Sequence, residues 1–198
     1  MKDFFTLSTG EKIAAPLPLK AELRRLRKAQ RVLSRKQKGS KARVRARKEV
    51  ARVHKKVANV RNDWQWKQVH LLFLMFDMLV FETLNIKTMY QLWGRKVGDL
   101  GFADFLLKAQ WMAQKLGKDL VKIDQWEPTT KTCHLCGHVQ DMPIKVRVFV
   151  CGRCGNVECR DVNASCNILE AGRRLRSGDT RKTTSVASVA TTAESHVL

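Results

Sequence analysis

The chain has 198 residues, enough for one ordinary core and a small metal-stapled module. Its 38 Lys and Arg against 18 Asp and Glu leave a formal charge of +20, which argues against an acidic or lipid-embedded protein and points to a polyanion, most simply nucleic acid. The most apolar run, residues 69–81, contains Asp77 and falls short of the roughly 20 residues a membrane span requires, so no membrane partner is expected, and the absence of a signal-peptide pattern near Met1 predicts a cytoplasmic protein.

Residues 1–16 predict a β-hairpin, with Phe4-Phe5-Thr6-Leu7 as one strand, Ser8-Thr9-Gly10 as the turn and Lys12-Ile13-Ala14 as the return. Pro16 and Pro18 stop it. Residues 19–61 then read as two amphipathic helices. Leu19, Leu23, Leu26 and Leu33 make one apolar stripe; Ala46, Val50, Val53, Val57 and Val60 make another. Lys38-Gly39-Ser40-Lys41 supplies the break, and stripe-to-stripe packing gives an antiparallel hairpin. Residues 20–61 hold 18 Lys and Arg against only Glu22 and Glu49, so this segment carries +16 of the +20. A charge run is usually a solvated face, but two acids cannot neutralise this one by i,i+4 pairing. Arg24, Arg27, Lys28, Arg31, Arg35, Lys36, Arg43 and Arg47 are therefore candidate contacts to a phosphate backbone.

Asp63 predicts the cap of a further helix to about residue 76, burying Trp64, Val69, Leu72, Phe73 and Phe76. Trp64 and Trp66 are read as packing rather than as stacking on bases. Met78-Leu79-Val80-Phe81 has the continuous apolarity of a strand covered on both faces, and it ends at Glu82. By pattern alone Glu82 is an ordinary solvated glutamate. Residues 90–100 predict a loop, residues 102–116 a helix closed by Gly117, and Leu120-Val121-Lys122-Ile123 another strand.

Cys133-His134-Leu135-Cys136-Gly137 and Cys151-Gly152-Arg153-Cys154-Gly155 form two C-x2-C pairs whose spacing suits a tetrahedral structural Zn²⁺ site. Two disulfides or free thiols are the alternative, and a basic chain without a signal peptide disfavours oxidation. Lys145-Val146-Arg147-Val148-Phe149-Val150 alternates as a ribbon strand would. Cys159 and Cys166 are given no zinc duty, and His134 and His138 are expected to face solvent or phosphate. Asp161 opens a helix along which Ala164, Ile168 and Leu175 recur; in isolation it reads as an N-cap, worth about 1 kcal/mol. Residues 177–198 have no usable period and predict a disordered tail.

Taken together, Ser8-Thr9-Gly10-Glu11-Lys12-Ile13, Ala58-Asn59-Val60-Arg61-Asn62-Asp63, Phe81-Glu82-Thr83-Leu84-Asn85, Thr130-Lys131-Thr132-Cys133 and Arg160-Asp161-Val162-Asn163-Ala164 resemble, in order, the TnpB proteins of bacterial insertion sequences. Those are transposon-associated, RNA-guided DNA endonucleases related to the type V CRISPR effectors. The resemblance covers nearly the whole chain to about Arg173. It departs from the family at Thr129 and Thr130, where two serines are usual, and at Cys159, where an aspartate is frequent.

The resemblance implies an α/β fold: a ribonuclease H-like (RuvC) domain over residues 1–126 with the basic hairpin 19–61 inserted, a zinc ribbon over 127–158, and the final RuvC motif and helix over 159–176. It implies Glu82 and Asp161 as catalytic ligands of Mg²⁺, Zn²⁺ as structural metal, and guide RNA and target DNA as partners. The family's first metal-binding aspartate would lie just before Lys2, on a strand between the hairpin and the strand of Glu82. Residues 1–198 are therefore expected to leave that slot unpaired, to hold the Mg²⁺ site incomplete, and to cut only with the missing portion supplied in cis or in trans. A non-catalytic, regulatory nucleic-acid-binding module is the alternative. A zinc ribbon of ribosomal or transcription machinery is a third reading, opposed by the contexts of Glu82 and Asp161.

Overall fold

A computed structural model describes residues 3–143 and 145–178, together with the backbone of residues 189–192. β1 (Asp3–Leu7) and β2 (Lys12–Ala14) form the expected hairpin. α1 (Pro18–Ser34) begins with Pro in its first turn, where the missing N–H costs nothing. No residue of its own caps it. The buried carboxylate of Asp99 accepts the N–H groups of Leu19 and Lys20 at 2.8 and 3.0 Å instead.

α2 (Lys41–Met75) packs antiparallel to α1, burying Leu26 and Ala29 against Val53 and Val57. Ser40 caps it by accepting the N–H of Arg43. The expected helix start at Asp63 is corrected: α2 runs through it without a break, and Asp63 pairs with Lys67 one turn on at 2.8 Å. Nothing between Val60 and Trp64 interrupts a helix. What changes there is only which face is buried, from valines against α1 to Val69, Leu72 and Phe73 against the sheet.

β3 (Met78–Glu82) follows, buried along its first four residues. The loop expected over residues 90–100 is instead two short helices, α3 (Ile86–Trp93) and α4 (Arg95–Leu100). Asn85 caps α3 through the N–H of Thr88, and Met89, Val97 and Leu100 bury the apolar side. α5 (Phe102–Leu116) ends at Gly117, which takes the left-handed φ of 63° that a side chain would resist. β4 (Asp119–Ile123) pairs in parallel with β3 from Met78↔Asp119 to Glu82↔Ile123.

In the ribbon only Val148–Val150 of the expected strand forms, as β5, antiparallel to β6 (Val157–Cys159). α6 (Arg160–Ser177) packs on the sheet face opposite α2 and α5; of the residues recurring along it, Ala164 and Ile168 are buried and Leu175 is 61% exposed. Composition also misled at the tail. Backbone of β7 (Val189–Thr192) lies between β1 and β3, antiparallel to the first and parallel to the second, giving the order β2-β1-β7-β3-β4. The slot expected to stand unpaired is thus occupied by a strand of this chain. Residues 179–188 and 193–198, the rest of that tail, lie outside the described residues.

Strand alternation divides the core. Phe5, Leu7, Leu79 and Phe81 face α2 and α5, whereas Met78, Val80 and Ile123 face Ile168, Leu169 and Ala171 of α6.

Candidate metal centre and nucleic-acid interface

The four cysteines of the two C-x2-C pairs converge. Cys133 Sγ lies 3.7 Å from Cys154 Sγ, Cys136 Sγ lies 3.6 Å from Cys151 Sγ, and all four sulfurs fall within 4.8 Å of one another. A tetrahedron with Zn–S bonds near 2.3 Å has edges of about 3.8 Å, so the thiols fit a structural metal such as zinc. These spacings are too long for disulfides, and all the cysteines are free. The backbone N–H of Cys154 points at Cys151 Sγ and helps to hold that thiol down at about 6, ready to ligate as the thiolate. Gly137 and Gly155, each just after a pair, adopt left-handed φ of 70° and 73° where the chain turns beneath the sulfurs.

His134 corrects an expectation. It does not point at solvent: its Nε2 lies 2.8 Å from Glu158 of β6, joining the two halves of the ribbon. Cys159 Sγ receives the ammonium of Lys12 at 3.1 Å, and Cys166 Sγ reaches the carbonyl of Ser8 at 3.6 Å. Burial pushes the Cys166 thiol up to about 11.

α6 is tied to the metal centre by two asparagines that sequence reasoning passed over. Asn163, fully buried, accepts the N–H of His134 at 2.9 Å and donates to Thr132 O at 2.7 Å. Asn167 donates to Thr129 O and Thr132 O at 2.8 and 2.6 Å. Their i,i+4 spacing places both on one face of the helix; that spacing was the available signal.

Asp161 lies on the second residue of that helix, not at its N-cap, which is Cys159 and makes no side-chain cap bond. The residue is buried, and its carboxylate lies 3.4 Å from Arg160 Nη2 and 4.0 Å from Lys12 Nζ. Glu82 closes β3, and alternation with Met78 and Val80 turns it to the α6 side. Burial pushes its carboxyl up to about 6. The register aligns Lys12 with Thr6 and Thr6 with Thr192, one step beyond the pair Phe81↔Thr191. Glu82 and Lys12 therefore sit at the same level of the sheet, about 14 Å apart across three strand spacings of ~4.8 Å. Thr6, between them, is fully buried, and its hydroxyl finds no hydrogen-bond partner among the described residues. Among those residues the four cysteines are the only group of three or more side chains that could hold one ion; Glu82 and Asp161 gain no third acid.

In the basic hairpin both acids are used internally. Glu22 is paired with Lys56 and Arg25, and Glu49 with Arg25 and Arg52. Arg24, Arg27, Lys28, Arg31, Arg35, Lys36 and Arg47 stand exposed. Arg43 does not: its Nη1 donates to Leu33 O and Lys36 O, closing the turn between the helices.

Fold and sites together define a basic, mixed helix–strand protein whose four convergent cysteines fit a structural metal such as zinc. Residues 1–92 match the family model described as "Probable transposase", and residues 102–168 that described as "Cas12f1-like, TNB domain". The chain is 39% identical over 170 residues to a "Putative RNA-guided DNA endonuclease" of Streptomyces pristinaespiralis, covering 84% of this chain and 42% of that one. It is 30% identical to a protein of the same description from Mycobacterium tuberculosis, covering 87% and 41%, and 27% identical to a TnpB-like protein of Acanthamoeba polyphaga mimivirus, covering 87% and 36%. In fold it resembles a chain of the cryo-EM structure of the Cas12f1-sgRNA-target DNA complex, with a TM-score of 0.53 at 18% identity, over 80% of this chain and 43% of that one. The chain belongs to the TnpB family. It spans about two-fifths of the length of these curated relatives. No helix among the described residues is long and apolar enough to cross a membrane.

Proposed function

We propose that these 198 residues act as the RuvC and zinc-ribbon part of an RNA-guided DNA endonuclease, with the ribonuclease H-like sheet spanning residues 1–126 and closed by α6. The observation that carries this reading is Asp161: a buried carboxylate in the first turn of α6, excluded from capping duty and fixed through Asn163 to the metal centre. Zn²⁺ held by Cys133, Cys136, Cys151 and Cys154 staples the ribbon. The exposed arginines and lysines of α1 and α2 take the phosphates of guide RNA and target DNA, mainly without reading bases.

Glu82 and Asp161 supply hard carboxylate oxygens of the kind Mg²⁺ prefers. When bound in pairs such ions stabilise attacking and leaving oxygens in phosphodiester cleavage. This chain's own residues position that chemistry. The sheet and α6 exclude water around Asp161, Lys12 neutralises its charge, and burial keeps the Glu82 carboxyl ready to bind a cation or a proton. Two acids are too few to fix two ions, so cleavage needs a further carboxylate supplied in cis or in trans. A nuclease assay with Mg²⁺, guide RNA and matching target DNA, comparing this chain with a version extended upstream, tests this. Guide-dependent cutting by the 198 residues alone that is lost in Glu82→Gln or Asp161→Asn would refute the need for a further acid. The second reading, a regulatory nucleic-acid-binding module, draws support from the Asp161 carboxylate being already neutralised by Arg160 and Lys12.

A further inference from the structure

Because α2 is unbroken, side chains from its basic and apolar halves share a single ridge. Lys41, Arg45, Lys48, Arg52 and Lys55 follow one another by four or three residues, which stacks them on one face, and all are exposed. The same spacing continues through Asn59 and Asn62 to Trp66 and His70. From Lys41 to His70 the ridge is about 44 Å long at ~1.5 Å per residue. At its far end Trp66 meets Trp111 of α5 edge to face, with centroids 5.4 Å apart and planes at 83°. Trp111 is 50% exposed. The ammonium of Lys115 lies 5.0 Å from the centre of the Trp111 ring, and that of Lys108 lies 5.9 Å from the centre of Trp66. None of these residues serves the metal centre or the two acids.

The structure assigns this ridge, we infer, as a track for a single nucleic-acid strand, with phosphates along the Lys and Arg turns and a base stacked on Trp111 beside Trp66. Charge complementarity selects the occupant. Of the acids beside the ridge, Glu49 is paired with Arg25 and Arg52, Asp63 with Lys67, and Asp104 acts on Lys108, so the five Lys and Arg of the ridge leave the residual field positive. Asn59 and Asn62 carry the ridge from its cationic half to the indoles with neutral amides, which leave that field unopposed. Half-exposed Trp111, with the Lys115 ammonium over one face of its ring, offers both parts of a nucleotide their partners: the other π-face for any base and the neighbouring cation for its phosphate. Leu74 and Leu107, one helical turn after His70 and one before Trp111, are exposed as well. The assignment rests on the proposed phosphate binding by the helical hairpin and adds a base-contacting end to it.

The test uses the whole, zinc-loaded chain with a fluorescein-labelled oligouridylate, the matching oligothymidylate, and an abasic strand of equal length, titrated across a salt series. Trp111→Ala should weaken binding to the strands with bases roughly tenfold, within the range measured for removing one stacking aromatic. It should leave the abasic strand and the salt slope unchanged, while Trp111→Phe keeps most of the affinity. Replacing Lys48, Arg52 and Lys55 together by Gln should weaken all strands and flatten the slope by about 0.7 for each phosphate no longer neutralised. Equal binding of the base-bearing strands by Trp111→Ala and the parent overturns the stacking site but leaves the hairpin reading intact. So does an equal loss on the abasic strand, or an effect of Trp111→Ala confined to self-association in sedimentation, which would make the face a protein interface. If the parent chain binds none of the strands, the hairpin reading itself fails.

Discussion

The side-chain oxygen of Asn163 accepts the backbone N–H of His134 at 2.9 Å, while its amide donates to Thr132 O at 2.7 Å. One buried side chain on α6 thus grips the backbone on both sides of Cys133, the first ligand of the metal centre, two residues from Asp161. Loss of metal order should therefore reach the helix that carries the proposed catalytic acid, and loss of the grip should reach the metal.

Asn163→Ala would leave the His134 N–H buried without a partner and Thr132 O with Asn167 alone. At about 1–3 kcal/mol for a buried polar group left unmade, we expect a loss of roughly 2–3 kcal/mol. Urea unfolding measures it. Zinc release to a chromogenic chelator should also accelerate, and unchanged release would mean that the ribbon holds its shape without α6.

Cys151→Ser should lower zinc content to well below one per chain and loosen the ribbon, because a structural metal contributes its binding free energy to folding. Elemental analysis of freshly reduced protein gives the stoichiometry. Zinc-free parent protein would refute the four-thiolate assignment.

Glu82 sets a pH dependence whose sign is the reverse of an ordinary paired carboxylate. Its folded pKa, about 6, exceeds the unfolded value of 4.5 because burial disfavours the charge. The folded state thus binds more protons between those values, and stability falls as pH rises from 4.5 to 6. The loss amounts to roughly 2 kcal/mol and is complete about one pH unit above 6. In EDTA, Glu82→Gln should be more stable than the parent at pH 8 and level with it below pH 4.5. Thermal melts at both pH values that show no such crossover would place Glu82 in a wetter environment.

Replacing Arg24, Arg27, Lys28 and Arg31 of α1 together by Gln should weaken binding to every nucleic acid tested and reduce the salt slope by roughly one unit for each duplex phosphate no longer neutralised. Fluorescence anisotropy across a salt series reads this. An unaltered slope would move the phosphate-binding surface off α1.

Periodicity and spacing made much of this architecture readable. The hairpin, the covered strand ending at Glu82, the helix closed by Gly117 and the cysteine pairs all rest on local chemistry that the sequence writes plainly. What it concealed depends on tertiary partners. Asp63 has the composition of a cap but lies inside a helix whose buried face rotates between Val57 and Val69. The helices over residues 86–100 are short and broken by glycine, so no stripe builds up before they end. Val189–Thr192 has no amphipathic signal because a central strand needs none. Asn163 and Asn167 are polar residues on a buried face, and their worth lies in carbonyl groups some thirty residues away that no periodicity can reveal.

Gly172 fixes how closely α6 lies on the sheet. A Cβ built there would stand 2.4 and 2.5 Å from the two γ-methyl carbons of Val80 and 3.0 Å from its Cβ, distances that real side chains do not tolerate. Val80 cannot yield easily: it is fully buried in the middle of β3, and branching at Cβ leaves it few rotamers. Gly172→Ala should therefore push α6 away from β3 and cost about 1–3 kcal/mol, the usual penalty of overpacking, even though alanine is the better helix former by about 1 kcal/mol. Removing the obstruction should reverse the sign. In the Val80→Ala background the added methyl partly fills the space left by the valine, so the second substitution should be neutral or stabilising. A double-mutant cycle by urea unfolding measures the coupling, expected at roughly 1–3 kcal/mol. Additive single effects would show that α6 does not rest on Val80 through Gly172.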